Sequence, residues 1–112
     1  MKEILFSIIT ATKNPKNILP TLDSIKSQTF KNYENIIIDS SIKPIKDNIK
    51  TNYNFRYFYD KKLSLYEALN FGIKKSKGHI IFFLHSDDYL IDKKTLNQIN
   101  LAFNEKEIEV VY

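Results

Sequence analysis

Residues 85–88 read His-Ser-Asp-Asp, directly after the apolar run HIIFFL. Adjacent carboxylates repel each other, so their pairing at the end of a strand has two physical readings. In one, Ser86, Asp87 and Asp88 form a solvated helix-entry turn, a role that suits all three. In the other they hold a hard cation. A divalent ion on a diphosphate needs only one or two protein ligands, because phosphate oxygens and water complete its shell. His85 and Asp87 lie two residues apart and share one side of an extended segment. The second reading therefore takes these two as the metal ligands. Local sequence leaves both open.

Two further polar groups follow apolar runs. Asp39 ends NIIID, where a carboxylate can accept hydrogen bonds from a nucleobase or ribose or simply close an Asx-turn. Thr12, Lys13 and Asn14 follow the first apolar run and either meet a ligand or cap a helix. Several chemistries are excluded. ATKNPKN is neither a Gly-rich dinucleotide loop nor a phosphate-binding P-loop. His79 and His85 flank one strand and form no helical zinc pair. No nucleophile elbow is present. Cysteine is absent, which removes disulfides and thiolate metal sites.

The elements that must position these residues alternate. EILFSIITAT (3–12) is a β-rich run. PKNILPTLDSIKSQ (15–28) follows as a helix, with Asn14 as cap, Pro15 in the first turn, and Ile18, Leu22 and Ile25 on one face. YENIIIDS (33–40) is a second strand, residues 42–52 hold a short helix, and FRYFYD (55–60) is a third strand. Residues 63–78 form the best helix, with Ser64 as cap, Gly78 as stop and a face of Leu65, Leu69, Ile73 and Ser76. HIIFFL (79–84) is a buried strand. Asp92 caps a last helix with Leu96, Ile99 and Phe103 on one face, and IEVVY (108–112) begins a final strand.

Strands apolar on both faces, separated by amphipathic helices, require a parallel sheet covered on both sides. The expected fold is α/β, a Rossmann-like three-layer α/β/α sandwich with a mostly parallel sheet, as one domain over residues 1–112. Ligands of such sheets bind beyond the carboxyl ends of the strands, where all three polar groups stand. An apolar fraction of 43% and a charged fraction of 27% are those of an ordinary soluble domain. The formal charge of +4 comes from cations that are all lysine except Arg56, scattered without a basic stripe, so nucleic acid is not an expected partner. The N-terminal apolar run is too short to cross a bilayer.

At this point two blocks resemble the family 2 glycosyltransferases, which have the GT-A fold. FSIITATKNPKNILPTLDSIKSQTFKNYENIIIDS carries Leu22, Ser24, Ile25, Gln28, Thr29 and Asp39 at the family's spacing. LYEALNFGIKKSKGHIIFFLHSDDYL carries Asn70, Gly72, Gly78, Asp87 and Asp88, the last two in the position of the acidic DXD motif. The resemblance implies an inverting, metal-assisted transferase. It would move a sugar from a nucleotide-diphosphate-sugar donor to an acceptor saccharide or lipid-linked saccharide. The setting would be bacterial surface polysaccharide synthesis, cytoplasmic and at the membrane face.

It also implies a nucleotide-sugar site of Thr12, Lys13, Asn14, Asp39, Asp87 and Asp88, with Asp39 on the nucleoside and Asp87 on Mn²⁺ or Mg²⁺. His85 stands where DXD has Asp or Asn, and imidazole favours Mn²⁺ if it ligates. Lys13 stands where a base-stacking Tyr is common, and Ser40 and Ser41 replace acidic or glycine positions. The family's catalytic domain is about twice this length, a typical α/β domain size. The acceptor-binding half and its general base are therefore expected beyond Tyr112, making this a truncated GT-A unit. The alternative is a non-catalytic remnant that binds only nucleotide or a partner chain. The strand edge after IEVVY invites self-pairing, so a homo-oligomer is expected.

Overall fold

In a computed structural model, residues 5–49, 52–103 and 110–111 are described. They form β1 (Phe6–Thr12), α1 (Leu19–Lys26), β2 (Tyr33–Asp39), a 3-10 turn at Lys46–Asn48, β3 (Arg56–Tyr59), α2 (Leu65–Lys75), β4 (Ile80–Phe83), α3 (Thr95–Phe103) and β5 (Val110–Val111). The sheet order is β3-β2-β1-β4-β5 and every pairing is parallel. β1 is central and all seven of its residues are buried. This is the expected α/β class, with helices on both faces. Residues 3–4, 50–51, 104–106, 108–109 and 112 of the expected elements lie outside the described residues.

Alternation along the strands sorts the core into two layers. On one face Phe6, Ile8, Phe82 and Leu84 pack with Ile25 of α1 and Leu96 of α3. Beside them Ile37 packs with Ile18 and Leu22. On the other face Ile9, Ile36, Ile38 and Phe83 pack with Ala68 of α2.

The helices differ from the expected boundaries in instructive ways. α1 begins at Leu19, with Pro20 in its first turn, rather than at Pro15. Asn14 adopts φ 48° and donates its N–H to Ser41 Oγ at 2.7 Å, so residues 13–18 cross to the neighbouring loop before helix can start. α2 is capped by Ser64 in a reciprocal box with Glu67, as expected of Ser64. Its buried residues, however, are Ala68 and Gly72, while Leu65 and Ile73 are 51% and 41% exposed. A Cβ on Gly72 would lie 2.5 Å from Ile9 Cγ2, so the helix approaches β1 through its small residues.

Gly78 does not end α2, which stops at Lys75 with Ser76 as C-cap. A Cβ there would lie 2.7 Å from the Phe6 carbonyl carbon and the Ser7 nitrogen, so Gly78 permits close passage over β1. Asp92 closes an Asx-turn on the Lys94 N–H at 2.8 Å, just before α3 begins at Thr95. The Phe103 side chain lies outside the described residues.

The amino-terminal side of the sheet is knotted by Glu34. Its Oε2 accepts from Ser7 Oγ and the Lys77 N–H, both at 2.6 Å. Its Oε1 accepts from Arg56 Nη2 at 2.7 Å and Nε at 3.1 Å. Three strands and the α2–β4 connection thus share one carboxylate, leaving the opposite edge for ligand chemistry.

Candidate functional site

The chain leaves β1 for β2 and β3 on one side, then crosses back to β4 on the other. The carboxyl ends of β1 and β4 therefore mark the topological switch point, where open α/β sheets bind ligands. A cleft of about 440 Å³ lies there, lined by Thr12, Lys13, Ser40, Ser64 and residues 85–88. The expected residues Thr12, Lys13, His85, Asp87 and Asp88 are brought together in it. Asn14 and Asp39 do not line it. A larger hollow of about 660 Å³ opens at the amino ends of β2 and β3, near Tyr33, Tyr53 and Arg56, and none of the expected nucleotide-sugar or metal residues lines it.

Thr12 ends β1. Its carbonyl is engaged, accepting from Ser40 N–H at 2.9 Å and Ser40 Oγ at 3.3 Å. Its side chain is 4% exposed, and its Oγ1 is the buried side-chain polar atom that has no hydrogen-bond partner among the described residues. Such a hydroxyl costs about 1–3 kcal/mol unless something fills its valence. Thr12 lines the cleft as a residue, with this oxygen itself shielded from solvent.

Asp39 was expected to offer its carboxylate to a nucleoside, but its geometry is different. It is fully buried, and Oδ1 accepts from the Ser41 N–H at 2.9 Å. Oδ2 accepts from the Ile45 N–H at 2.9 Å and from the Tyr57 hydroxyl. Burial, and next the hydrogen bond to this carboxylate, push the Tyr57 hydroxyl well above its ordinary pKa. Asn14 Oδ1 accepts from the Ile42 N–H at 3.0 Å, and the Tyr59 hydroxyl donates to the Ser41 or Ile42 carbonyl. Asp39, Asn14 and the two tyrosines therefore hold loop 40–45 against the cleft and act through it.

Residues 85–88 form a turn closed by Asp88 N–H donating to the His85 carbonyl at 3.0 Å. Ser86 is buried, while His85, Asp87 and Asp88 are exposed. The two readings of this segment are thus compatible: it is a turn, and it presents two carboxylates and an imidazole to the cleft. No cluster of three or more acidic, cysteine or histidine side chains able to hold a metal occurs among the described residues. Among those residues there is therefore no all-protein cage. The exposed His85, Asp87 and Asp88 suit an ion held by one or two protein ligands and otherwise by a diphosphate.

Sequence reasoning missed the supports of this turn. Thr21 Oγ1 of α1 faces the carbonyls of Ser86, at 2.9 Å, and Asp88, at 2.5 Å. Ser24 Oγ accepts from the Leu90 N–H at 3.0 Å. Gln28 donates to the Asp92 carbonyl at 2.7 Å and accepts from the Leu96 N–H at 3.1 Å. The signal was available: Thr21, Ser24 and Gln28 recur at i, i+3 and i+7, a polar stripe beside the apolar face.

The model of the family described as Glycosyl transferase family 2 matches residues 7–111. A UDP-Glc:alpha-D-GlcNAc-diphosphoundecaprenol beta-1,3-glucosyltransferase, WfaP, of Escherichia coli is 40% identical over an alignment of 115 positions that covers 91% of this chain and 43% of that one. An uncharacterized glycosyltransferase of Rickettsia typhi is 35% identical over 100 residues, 87% of this chain and 31% of the relative. The chain therefore spans less than half the length of these relatives. Among solved structures, S. aureus TarS 1–349 matches with a TM-score of 0.78 at 27% identity, over 92% of this chain and 33% of that one. The structures of TarS 1–349 with UDP and with UDP-GlcNAc each match with a TM-score of 0.76 at 26% identity.

Proposed function

We propose, from the premise that this chain belongs to glycosyl transferase family 2, that it is the donor-binding unit of an inverting, metal-assisted transferase using a nucleoside-diphosphate sugar. The observation that carries this is the cleft at the switch point, lined by Thr12, Lys13 and the exposed carboxylates of Asp87 and Asp88. The TarS structures with UDP and UDP-GlcNAc support the ligand class. WfaP, named for transfer to a lipid-linked diphosphate acceptor, supports surface polysaccharide synthesis, and with it a cytoplasmic place at the membrane face. No helix among the described residues is long and apolar enough to cross a membrane.

In this reading Asp87, with His85 or Asp88, holds Mn²⁺ or Mg²⁺. When bound, the cation would supply Lewis-acid stabilisation to the departing diphosphate. The Lys13 ammonium lies at the same cleft and adds positive charge toward a phosphate. Rotation of the Thr12 side chain into the cleft would let its buried hydroxyl donate to a ligand oxygen. Loop 40–45, held by Asp39 and Asn14, offers backbone groups to the nucleoside. Inversion needs a base at the acceptor hydroxyl, and that role is given to no residue of this chain. Homo-oligomerisation is a proposal of the same kind: β5 is an outer strand of the sheet, and light scattering that reads only a monomer would remove it.

The test is calorimetric titration of UDP- and GDP-sugars into the chain, with and without Mn²⁺. Metal-dependent binding of one of them is expected. A folded chain that binds neither belongs to the non-catalytic reading instead.

A further inference from the structure

Thr21 has one hydroxyl proton and two carbonyl acceptors in reach, Ser86 O at 2.9 Å and Asp88 O at 2.5 Å. These carbonyls belong to the residues on either side of Asp87. A donor shared between them draws both peptide units toward α1 and leaves Asp87, exposed, on the cleft side. Thr21 is itself 1% exposed, so no water competes for the contact. One turn along α1, Ser24 Oγ donates to the Thr21 carbonyl at 2.7 Å and accepts from the Leu90 N–H at 3.0 Å. The acidic turn is thus fastened to α1 at two levels, by hydroxyls of residues that do not line the cleft.

We infer that Thr21, backed by Ser24, is a positioning residue for the Asp87 carboxylate and sets the metal dependence of nucleotide binding. The inference rests on the nucleotide-diphosphate reading above. Groups that orient metal ligands without touching the metal typically change metal affinity by about 10–100-fold. Here the orienting group acts on the backbone on both sides of the ligand, so its loss lets Asp87 rotate away without removing any charge. That separates it from a merely structural contact, which would weaken binding with and without metal alike.

The experiment titrates UDP into the full chain at a series of Mn²⁺ concentrations, for wild type, Thr21→Val, Thr21→Ser and Ser24→Ala, with thermal unfolding recorded for each. Thr21→Val is expected to raise the Mn²⁺ concentration for half-maximal UDP binding about tenfold or more. Metal-free UDP binding should stay as in wild type, and Thr21→Ser should restore the wild-type value. Ser24→Ala should shift in the same direction by less, and it decides the matter if Thr21→Val does not fold. A folded Thr21→Val with wild-type Mn²⁺ dependence overturns the inference alone. A wild type that binds no UDP at any Mn²⁺ concentration overturns the functional reading and this inference with it.

Discussion

Thr12 and Asp39 sit opposite each other in the β1–β2 register, and the sheet leaves them in opposite circumstances. The Asp39 carboxylate accepts from two backbone N–H groups and a tyrosine hydroxyl. The Thr12 hydroxyl, also buried, has no partner among the described residues. The residue that looks reactive has its oxygens engaged within the fold, and the one that looks inert carries the unmet bond.

That contrast makes Thr12→Val informative. Valine keeps the shape and removes the unpaired hydroxyl. The free chain should become more stable by up to about 1 kcal/mol in chemical denaturation. UDP binding should weaken about fivefold, the equivalent of one ordinary hydrogen bond. A variant that loses stability and keeps affinity would show that the hydroxyl serves the fold.

Tyr57→Phe removes a donor to Asp39 and a second, longer acceptor for the Ile45 N–H, 3.2 Å from the Tyr57 oxygen. Denaturation should register a loss of about 1–2 kcal/mol. UDP affinity should fall as well, because Ser40 of the same loop lines the cleft. Wild-type affinity in the variant would detach loop 40–45 from the ligand.

Glu34 supplies a pH dependence. Burial alone would raise its pKa; the hydrogen bonds from Ser7, Lys77 and Arg56 outweigh burial and hold it below the usual range. A carboxylate with a depressed folded pKa contributes stability above its unfolded value, about 4.3, and loses it as pH falls through the folded value. Glu34→Gln should therefore cost about 1–2 kcal/mol at pH 7 and flatten the acid limb of the stability curve. The figure is modest because Arg56 is a third exposed and its ion pair is screened. An acid limb identical to wild type would place the titration elsewhere.

Gly72→Ala and Gly78→Ala should both destabilise, by about 1–3 kcal/mol for overpacking. Gly78→Ala should cost more. Its new methyl meets β1 backbone, whereas that of Gly72 meets the Ile9 side chain. Equal Tm losses would mean that the β4 entry yields as easily as a side chain.

The strands were legible because each is a short apolar run, and a parallel arrangement is what alternation with helices requires. The shared edge of Thr12, Asp39 and His85–Asp88 followed from that alone. Helix faces were less legible. Counting large apolar residues on α2 selected Leu65 and Ile73, but close packing on β1 demands Ala68 and Gly72. The side taken by α3 was not legible either. β4 to β5 moves across the sheet as β3 to β4 does, so the usual hand would place α3 over the α2 face. Leu96 instead packs with Ile25, where Gln28 and Thr29 hold the start of α3.

At the site, residue type located Asp87 and Asp88 correctly on the cleft, since exposed carboxylates have few structural uses there. Asp39 stands at the same edge, but sequence does not show that its oxygens are engaged by backbone N–H groups and a tyrosine hydroxyl. Thr21 was invisible for the complementary reason: a threonine inside an amphipathic helix reads as filler until its acceptors, more than sixty residues away, are seen.

The most direct test of the account is where a nucleotide sits. Amide NMR of the labelled chain, titrated with UDP in the presence of Mg²⁺, reads both candidate hollows at once. The account predicts shifts concentrated at Thr12–Asn14, Ser40–Ile42 and His85–Asp88, absent or much smaller without the metal. Shifts centred on Tyr53 and Arg56, or none at saturating UDP and Mg²⁺, would contradict it.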